Sequence, residues 1–173
     1  MAARNDVTVL LTLIRELAAY EHMSDQVVIT EADLSHALFS SPPQAEAVLA
    51  WHDNEAVGFA LYFHTFSTFV GKPGLYLEDL FVRPKYRRHG IGRQLLAYLA
   101  QLAVTRGCGR FEWSVLNWNK LAIGLYQKVD ASPMNEWTVY RLSGNTLSAL
   151  ASESQPKQTN RATDRSRTPM SPR

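Results

Sequence analysis

Leu77-Glu-Asp-Leu-Phe-Val-Arg-Pro-Lys-Tyr-Arg-Arg-His-Gly-Ile-Gly-Arg93 is the stretch that decides the reading of this chain. A strand, apolar at most positions, runs up to Pro84. It passes into a basic turn with glycines at 90 and 92, and the turn opens a helix. The apolar stripe of that helix is Ile91, Leu95, Leu96, Leu99, Leu102 and Ala103. Strand, glycine turn and helix in this order make a device for holding a pyrophosphate. The glycines let the main chain come close, and the helix start offers free N–H groups and a positive dipole end. Lys85 and the arginines add positive charge there, and two carboxylates, Glu78 and Asp79, stand just upstream. A nucleotide-like ligand and a cationic substrate are expected to meet at this strand end.

Working outward, Leu10, Leu13, Ile14, Leu17 and Ala18 recur at three- and four-residue spacing, which predicts a helix over 7–21. Thr30-Glu-Ala-Asp33 has the layout of a capping box and predicts the start of a second helix. Segments 47–51 and 57–66 read as strands joined by a tight turn at Asp53-Asn54-Glu55, and 75–82 as a central strand. Gly107 and Gly109 end the long helix. A strand over 110–116, a short helix N-capped by Asn119 and a last strand over 137–142 complete the series. Helices, a strand meander, then strand–helix–strand–helix–strand mean an α/β (α+β) domain. Its expected sheet is mixed, mostly antiparallel and flanked by helices.

With 173 residues, 46% hydrophobic, the chain fits one domain with a substantial core. The net charge of +2 is unevenly spread. From Asn145 on there are five Lys/Arg and two acids, whereas residues 1–144 carry 13 basic and 14 acidic groups. The expectation is a near-neutral domain over 1–144 and a disordered, basic tail over 145–173, rich in Ser, Thr, Pro and Gln. A basic tail can touch nucleic acid, but solvated extension is the better reading, so no nucleic-acid partner is expected. The single cysteine, Cys108, excludes an internal disulfide and fits a reducing compartment. There is no apolar run of 18 residues and no charged-then-apolar leader, so no membrane association and a cytoplasmic location are expected. His22, His64 and His89 lack ligand spacing, and no metal is expected.

Arg87-Arg-His-Gly90-Ile-Gly92 fits the acyl-CoA-binding pattern [Arg/Gln]-x-x-Gly-x-[Gly/Ala] of the GCN5-related N-acetyltransferases (GNAT). Other blocks, in order, resemble the spermidine/spermine (diamine) N-acetyltransferases and their bacterial relatives. These are Glu16–Glu21, Gly58–Phe63, Gly74–Val82, Trp118-Asn119 with Tyr126, and Glu136–Leu142, so the resemblance covers roughly residues 7–142.

The resemblance implies acetyl-CoA as co-substrate, direct attack by a small primary amine and no acyl-enzyme. The implied cofactor residues are Arg87, Arg88, His89, Gly90, Ile91, Gly92 and Arg93 at the pyrophosphate, and Leu80, Phe81 and Val82 along the pantetheine arm. A backbone N–H of that strand would serve the developing oxyanion, with Asn119 and Ala122 lining the other side. Tyr126 falls where the family's general acid lies, and Glu78 at its acidic substrate position, placed to take the amine's proton. Asp79 alternates to the opposite face of a regular strand, unless a bulge intervenes. Tyr20, Glu21 and, more loosely, Glu136 match substrate-contacting positions.

Polyamines or diamines are the implied substrates. Lysine-like amino acids such as thialysine are the alternative, and a weakly catalytic CoA-binding module is a further one. The family commonly forms homodimers, and Trp137, Val139 and Tyr140 suit such an interface or a core. Four places depart from the pattern. The usual first strand is absent or degenerate at 1–6. Arg88 stands where glycine is common, Lys120-Leu121 replaces an acid-Pro pair, and Asp130 replaces a glycine.

Overall fold

A computed structural model describes residues 1–154. The remainder of the expected tail, 155–173, lies outside the described residues. The chain divides into two compact units, 1–131 and 132 onward. In the first unit, helices α1 (Val7–Tyr20) and α2 (Glu31–Phe39) precede the hairpin β1 (Glu46–His52) and β2 (Glu55–Ser67). Strand β3 (Lys72–Val82), helix α3 (Ile91–Thr105), strand β4 (Arg110–Trp113) and helix α4 (Lys120–Gln127) follow. The sheet order is β1-β2-β3-β4, antiparallel for the first two pairs and parallel for β3 with β4. This is the mixed, mostly antiparallel sheet that the alternation of segments predicts.

Local chemistry sets the boundaries. The predicted capping box forms: Thr30 Oγ1 accepts from the Asp33 amide at 3.2 Å, and Asp33 Oδ2 accepts from the Thr30 amide at 2.9 Å. Asn119 Oδ1 caps α4 by accepting from the Ala122 amide at 3.2 Å. Residues 4–6 form a 3-10 turn rather than a first strand, as the sequence indicates.

The sheet lies between two apolar layers. Leu10, Leu13, Leu17 and Leu34 of α1 and α2 pack with Phe59 and Phe81 on one face. Leu95, Leu96 and Leu99 of α3 pack with Tyr62, Leu75 and Leu77 on the other. β3 changes phase between these layers. Asp79 pairs with Leu61 but Leu77 pairs with Tyr62, so Glu78 is an extra residue, a β-bulge. Leu75 and Leu77 face α3. Beyond the bulge it is Leu80 and Val82 that do so, while Phe81 turns to α1 and α2. Asp79 is thereby carried off the face that regular alternation gives it.

β4 ends at Trp113, three residues short of the expected strand, and pairs with β3 only from Gly74↔Arg110 to Leu77↔Trp113. Among the described residues, 79–82 therefore have a ladder partner on the β2 side alone.

In the second unit the expected strand over 137–142 does not form; the segment carries no ladder among the described residues. Its alternation is real, but a strand needs a neighbour, and Trp137, Val139 and Tyr140 are instead 71%, 80% and 91% exposed. Within the stretch expected to be disordered, Gly144–Ser152 forms a helix, α5.

Strand β2 approaches β3 so closely that a Cβ at Gly58 would lie 2.6 Å from the Phe81 carbonyl oxygen. Gly58→Ala should therefore displace β3 and cost about 1–3 kcal/mol. Thermal unfolding is expected to show a Tm lowered by several degrees.

Candidate active site

Tyr20 and Glu21, at the C-terminal end of α1, are brought close to the far end of β3. A cleft of about 340 Å³ opens beside α1, the segment 26–29 and β3. Its walls include Ile14, Val27, Ile29, Leu34 and Leu61, and its acids are Glu78 and Asp79. The bulge is what lets two successive residues of β3 serve one cleft.

The acids differ in environment. Glu78 is exposed, whereas Asp79 is partly withdrawn from water. Burial, with the Glu78 and Glu21 charges adding, pushes Asp79 from 3.8 up to about 6. Burial also raises Glu21 above the ordinary carboxylate range. Tyr126, late in α4, is pushed up to about 12 by burial and then by the Glu21 charge. Its hydroxyl therefore stays protonated through the neutral range. Because the Glu21 field reaches both Asp79 and Tyr126, these three groups share one region. Tyr126 also packs against Trp113, ring centroids 5.1 Å apart.

The turn after β3 is shaped for a close approach. Gly90 has φ +82° and Arg88 φ +65°, so the arginine adopts the left-handed conformation that its glycine-like position demands. The first helical bond of α3 runs from the Gln94 amide to the Gly90 carbonyl at 2.9 Å. Among the described residues, the amides from Arg88 to Arg93 donate to no acceptor. Gly92 lies against α4, where a Cβ would come 3.2 Å from the Leu125 side chain. Free amides, a positive helix end and the open β3 edge suit a pyrophosphate followed by an extended, amide-bearing arm.

The side chains around the turn are arranged differently from the sequence-based picture. Lys85 is engaged by Glu55 at 3.1 Å and does not stand free for a phosphate. Glu78 and Asp79 do not pair with Arg83; Glu16 and Glu55 do, at 2.6 and 2.7 Å. Arg87 turns inward: its guanidinium lies 4.3 Å from the Tyr20 ring centroid, and its Nε donates to the Val82 carbonyl at 2.8 Å. Arg93 donates to the Lys128 carbonyl at 3.4 Å. Arg88 and His89 are exposed.

The Tyr20 hydroxyl donates to Asn119 Oδ1 at 3.3 Å, and its ring packs on Trp118 at 5.7 Å. Leu80 and Val82 pack against the α3 layer. Glu136 is exposed and belongs to the second unit. Sequence reasoning missed Glu55, whose partners are about thirty residues away along the chain, and missed the apolar wall at Val27 and Ile29.

The comparisons with known proteins agree with this geometry. Residues 12–130 match the model of the Acetyltransferase (GNAT) family. The chain is 37% identical over 161 residues to thialysine N-epsilon-acetyltransferase of Sus scrofa, covering 87% of this chain and 94% of that protein. It is 34% identical over 162 residues to spermidine/spermine N(1)-acetyltransferase-like protein 1 of Homo sapiens, covering 88% of this chain and 23% of that protein. An integron cassette protein from the mobile metagenome of V. cholerae superposes with a TM-score of 0.73 at 30% identity, over 87% of this chain and 94% of that one. The open edge of β3, the free amides of the turn and these likenesses lead to one conclusion: the chain belongs to the GNAT family and is an N-acetyltransferase.

Proposed function

We propose that this N-acetyltransferase moves the acetyl group of acetyl-CoA to a terminal primary amine of a small diamine or polyamine. The observation that carries the reading is the cleft, apolar-walled with Glu78 and Asp79 on it, beside the unpaired end of β3. An aliphatic spacer suits the walls, and cationic ends suit the acids. The name of one relative favours a second reading, a lysine-like amino acid. Against it, among the described residues no Lys or Arg lines the cleft to receive an α-carboxylate. A homodimer belongs to the same reading, with the exposed Trp137, Val139 and Tyr140 as its support.

The residues present fit an acyl-CoA. The amides of the 88–93 turn would take its pyrophosphate, and the open edge of β3 over Leu80, Phe81 and Val82 would run beside its arm, with the Val82 carbonyl already taken by Arg87. Acetyl-CoA, when bound, supplies an activated acyl carbon and a thiolate as leaving group. The protein's part is proton management. An aliphatic ammonium near pKa 10.4 must lose a proton before it can attack. The sequence favours Glu78 as acceptor, but the desolvation of Asp79 makes Asp79 the better matched group at neutral pH. Glu78, exposed at the cleft, draws the cation in. A free N–H on β3 donates to the developing oxyanion. Tyr126, firmly protonated, donates to the departing sulfur.

CoA release measured with spermidine, putrescine, lysine, thialysine and a peptide N-terminus tests the substrate class. Turnover selective for the di- and polyamines is expected. Turnover confined to lysine or thialysine would establish the second reading, and turnover with the peptide alone would sink both.

Tyr126→Phe should lower kcat roughly a hundredfold while CoA affinity stays near wild type. Unchanged turnover would remove Tyr126 from the chemistry.

Asp79 also ties activity to pH. In wild type kcat/KM should rise through about pH 6 as Asp79 ionises, and Asp79→Asn should lose that limb. Stability runs the other way. The folded value lies above the unfolded one, so the folded state binds the extra proton. That stability is fully present below about pH 4 and is lost as pH rises through about 6. Asp79→Asn should thus melt higher than wild type at pH 7.5 while turning over more slowly.

A further inference from the structure

We infer that Glu55, at the start of β2 and far along the chain from the turn, is a positioning residue for the pyrophosphate-binding backbone. The inference rests on the reading that the 88–93 amides hold the pyrophosphate of acetyl-CoA. One carboxylate gathers three groups from the segment that leads into that turn. Its Oε1 accepts from Arg83 Nη1 at 2.7 Å. Its Oε2 accepts from Lys85 Nζ at 3.1 Å and from the Tyr86 hydroxyl at 2.5 Å. Arg83 is in turn forked onto Glu16 of α1, with Nε at 2.8 Å and Nη2 at 2.6 Å, and its amide donates to the Val57 carbonyl at 2.9 Å.

Beyond this cluster, the Tyr86 ring packs on His52 at 5.4 Å, and Arg87 is held by the Tyr20 ring and the Val82 carbonyl. Pro84–Tyr86 is one 3-10 turn, with main-chain bonds only from Tyr86 to Arg83 at 2.9 Å and from Arg87 to Pro84 at 3.2 Å. Immediately after it the chain must enter the left-handed region at Arg88 and again at Gly90, with amides that have no partner among the described residues. A backbone of that kind keeps its shape only if its ends are held. α3 holds the far end, and the Glu55 cluster, together with the Arg87 contacts, holds the near one.

Two opposing effects of removing Glu55 can be separated. Releasing Lys85 adds loose positive charge near the turn, and exposed, screened charges contribute little, whereas Arg83 stays forked onto Glu16. Loosening the segment disperses several amides that act together, and lost preorganisation weakens binding directly. The second effect wins in this inference. It acts only on the pyrophosphate end of the donor, since β3 carries the pantetheine arm.

The experiment uses the full chain. CoA affinity is measured by calorimetry, and kcat/KM is measured with acetyl-CoA and with S-acetylpantetheine, which lacks the pyrophosphate. Glu55→Ala is expected to weaken CoA binding about tenfold and to lower kcat/KM for acetyl-CoA by a similar factor, with S-acetylpantetheine changed less than about twofold. Glu55→Gln, which keeps acceptor oxygen but not charge, should fall between. If Glu55→Ala does not fold, Tyr86→Phe, which takes one hydroxyl from the same carboxylate, should show the same donor selectivity at about two- to threefold. Equal losses with both donors would mean a general loosening and overturn the inference. So would unchanged or tighter CoA binding in the folded variant, or a silent Tyr86→Phe beside an unfolded Glu55→Ala. Wild-type protein that binds no CoA would overturn the reading beneath it as well, whereas CoA-binding wild type with an indifferent Glu55→Ala overturns the positioning role alone.

Discussion

The bulge at Glu78 is the constraint on which the site depends. A strand that kept strict alternation would place Asp79 with Leu75 and Leu77 against α3, and a carboxylate there would be buried among leucines. The extra residue changes the phase once, between Leu77 and Leu80. Both apolar layers stay filled, because Leu80 and Val82 replace Leu75 and Leu77 on one side and Phe81 joins Phe59 on the other. The two acids fall on the cleft. The same region is where β4 stops pairing, after Leu77↔Trp113. One local irregularity therefore sits beside an acidic cleft on one side of β3 and a free main-chain edge on the other. An enzyme that joins an amine to an amide-bearing donor needs both.

The acids also set a conflict between stability and function. Asp79 is disfavoured as an anion first by burial and then by the charges of Glu78 and Glu21. In a structural role such a cluster is a defect, and a neutral amide at 79 would relieve it. In a site for a cation the repulsion is useful, since an arriving ammonium lowers the energy of all three charges together. The apolar wall strengthens this effect by lowering the local dielectric.

Much of the fold was legible because its signals are local. Leucine spacing marked α1 and α3, Thr30 and Asp33 marked the cap of α2, and Asn119 marked the cap of α4. The glycine turn after an apolar strand marked where β3 gives way to α3. What was not legible depends on neighbours distant in the chain. Alternation alone assigns Asp79 to the wrong face, because a bulge is set by pairing with β2 rather than by the residues of β3. The segment 137–142 alternates like a strand, yet strand formation requires a partner ladder that the described residues of this unit do not supply. The charges of Arg83, Lys85 and Arg87 looked available for phosphate, but Glu16, Glu55, Tyr20 and the Val82 carbonyl engage them. Nothing near those positions in sequence announces such partners.

The redirected charges leave a division of labour. The side chains that a motif reading assigns to the phosphates mostly tie the turn to its surroundings: Arg83 and Lys85 to the hairpin, Arg87 to α1 and Arg93 to the end of α4. The backbone amides from Arg88 to Arg93 are left without an acceptor among the described residues, and Arg88 and His89 are the exposed side chains beside them. Arg87 has a second consequence. It stacks on Tyr20, Tyr20 bonds to Asn119, and Asn119 caps the helix that carries Tyr126. The first residue of the cofactor turn, the end of α1 beside Glu21, and the start of the Tyr126 helix are thus held in one contiguous set of contacts. Rigid coupling of this kind holds the turn, the end of α1 and the start of α4 in one fixed arrangement.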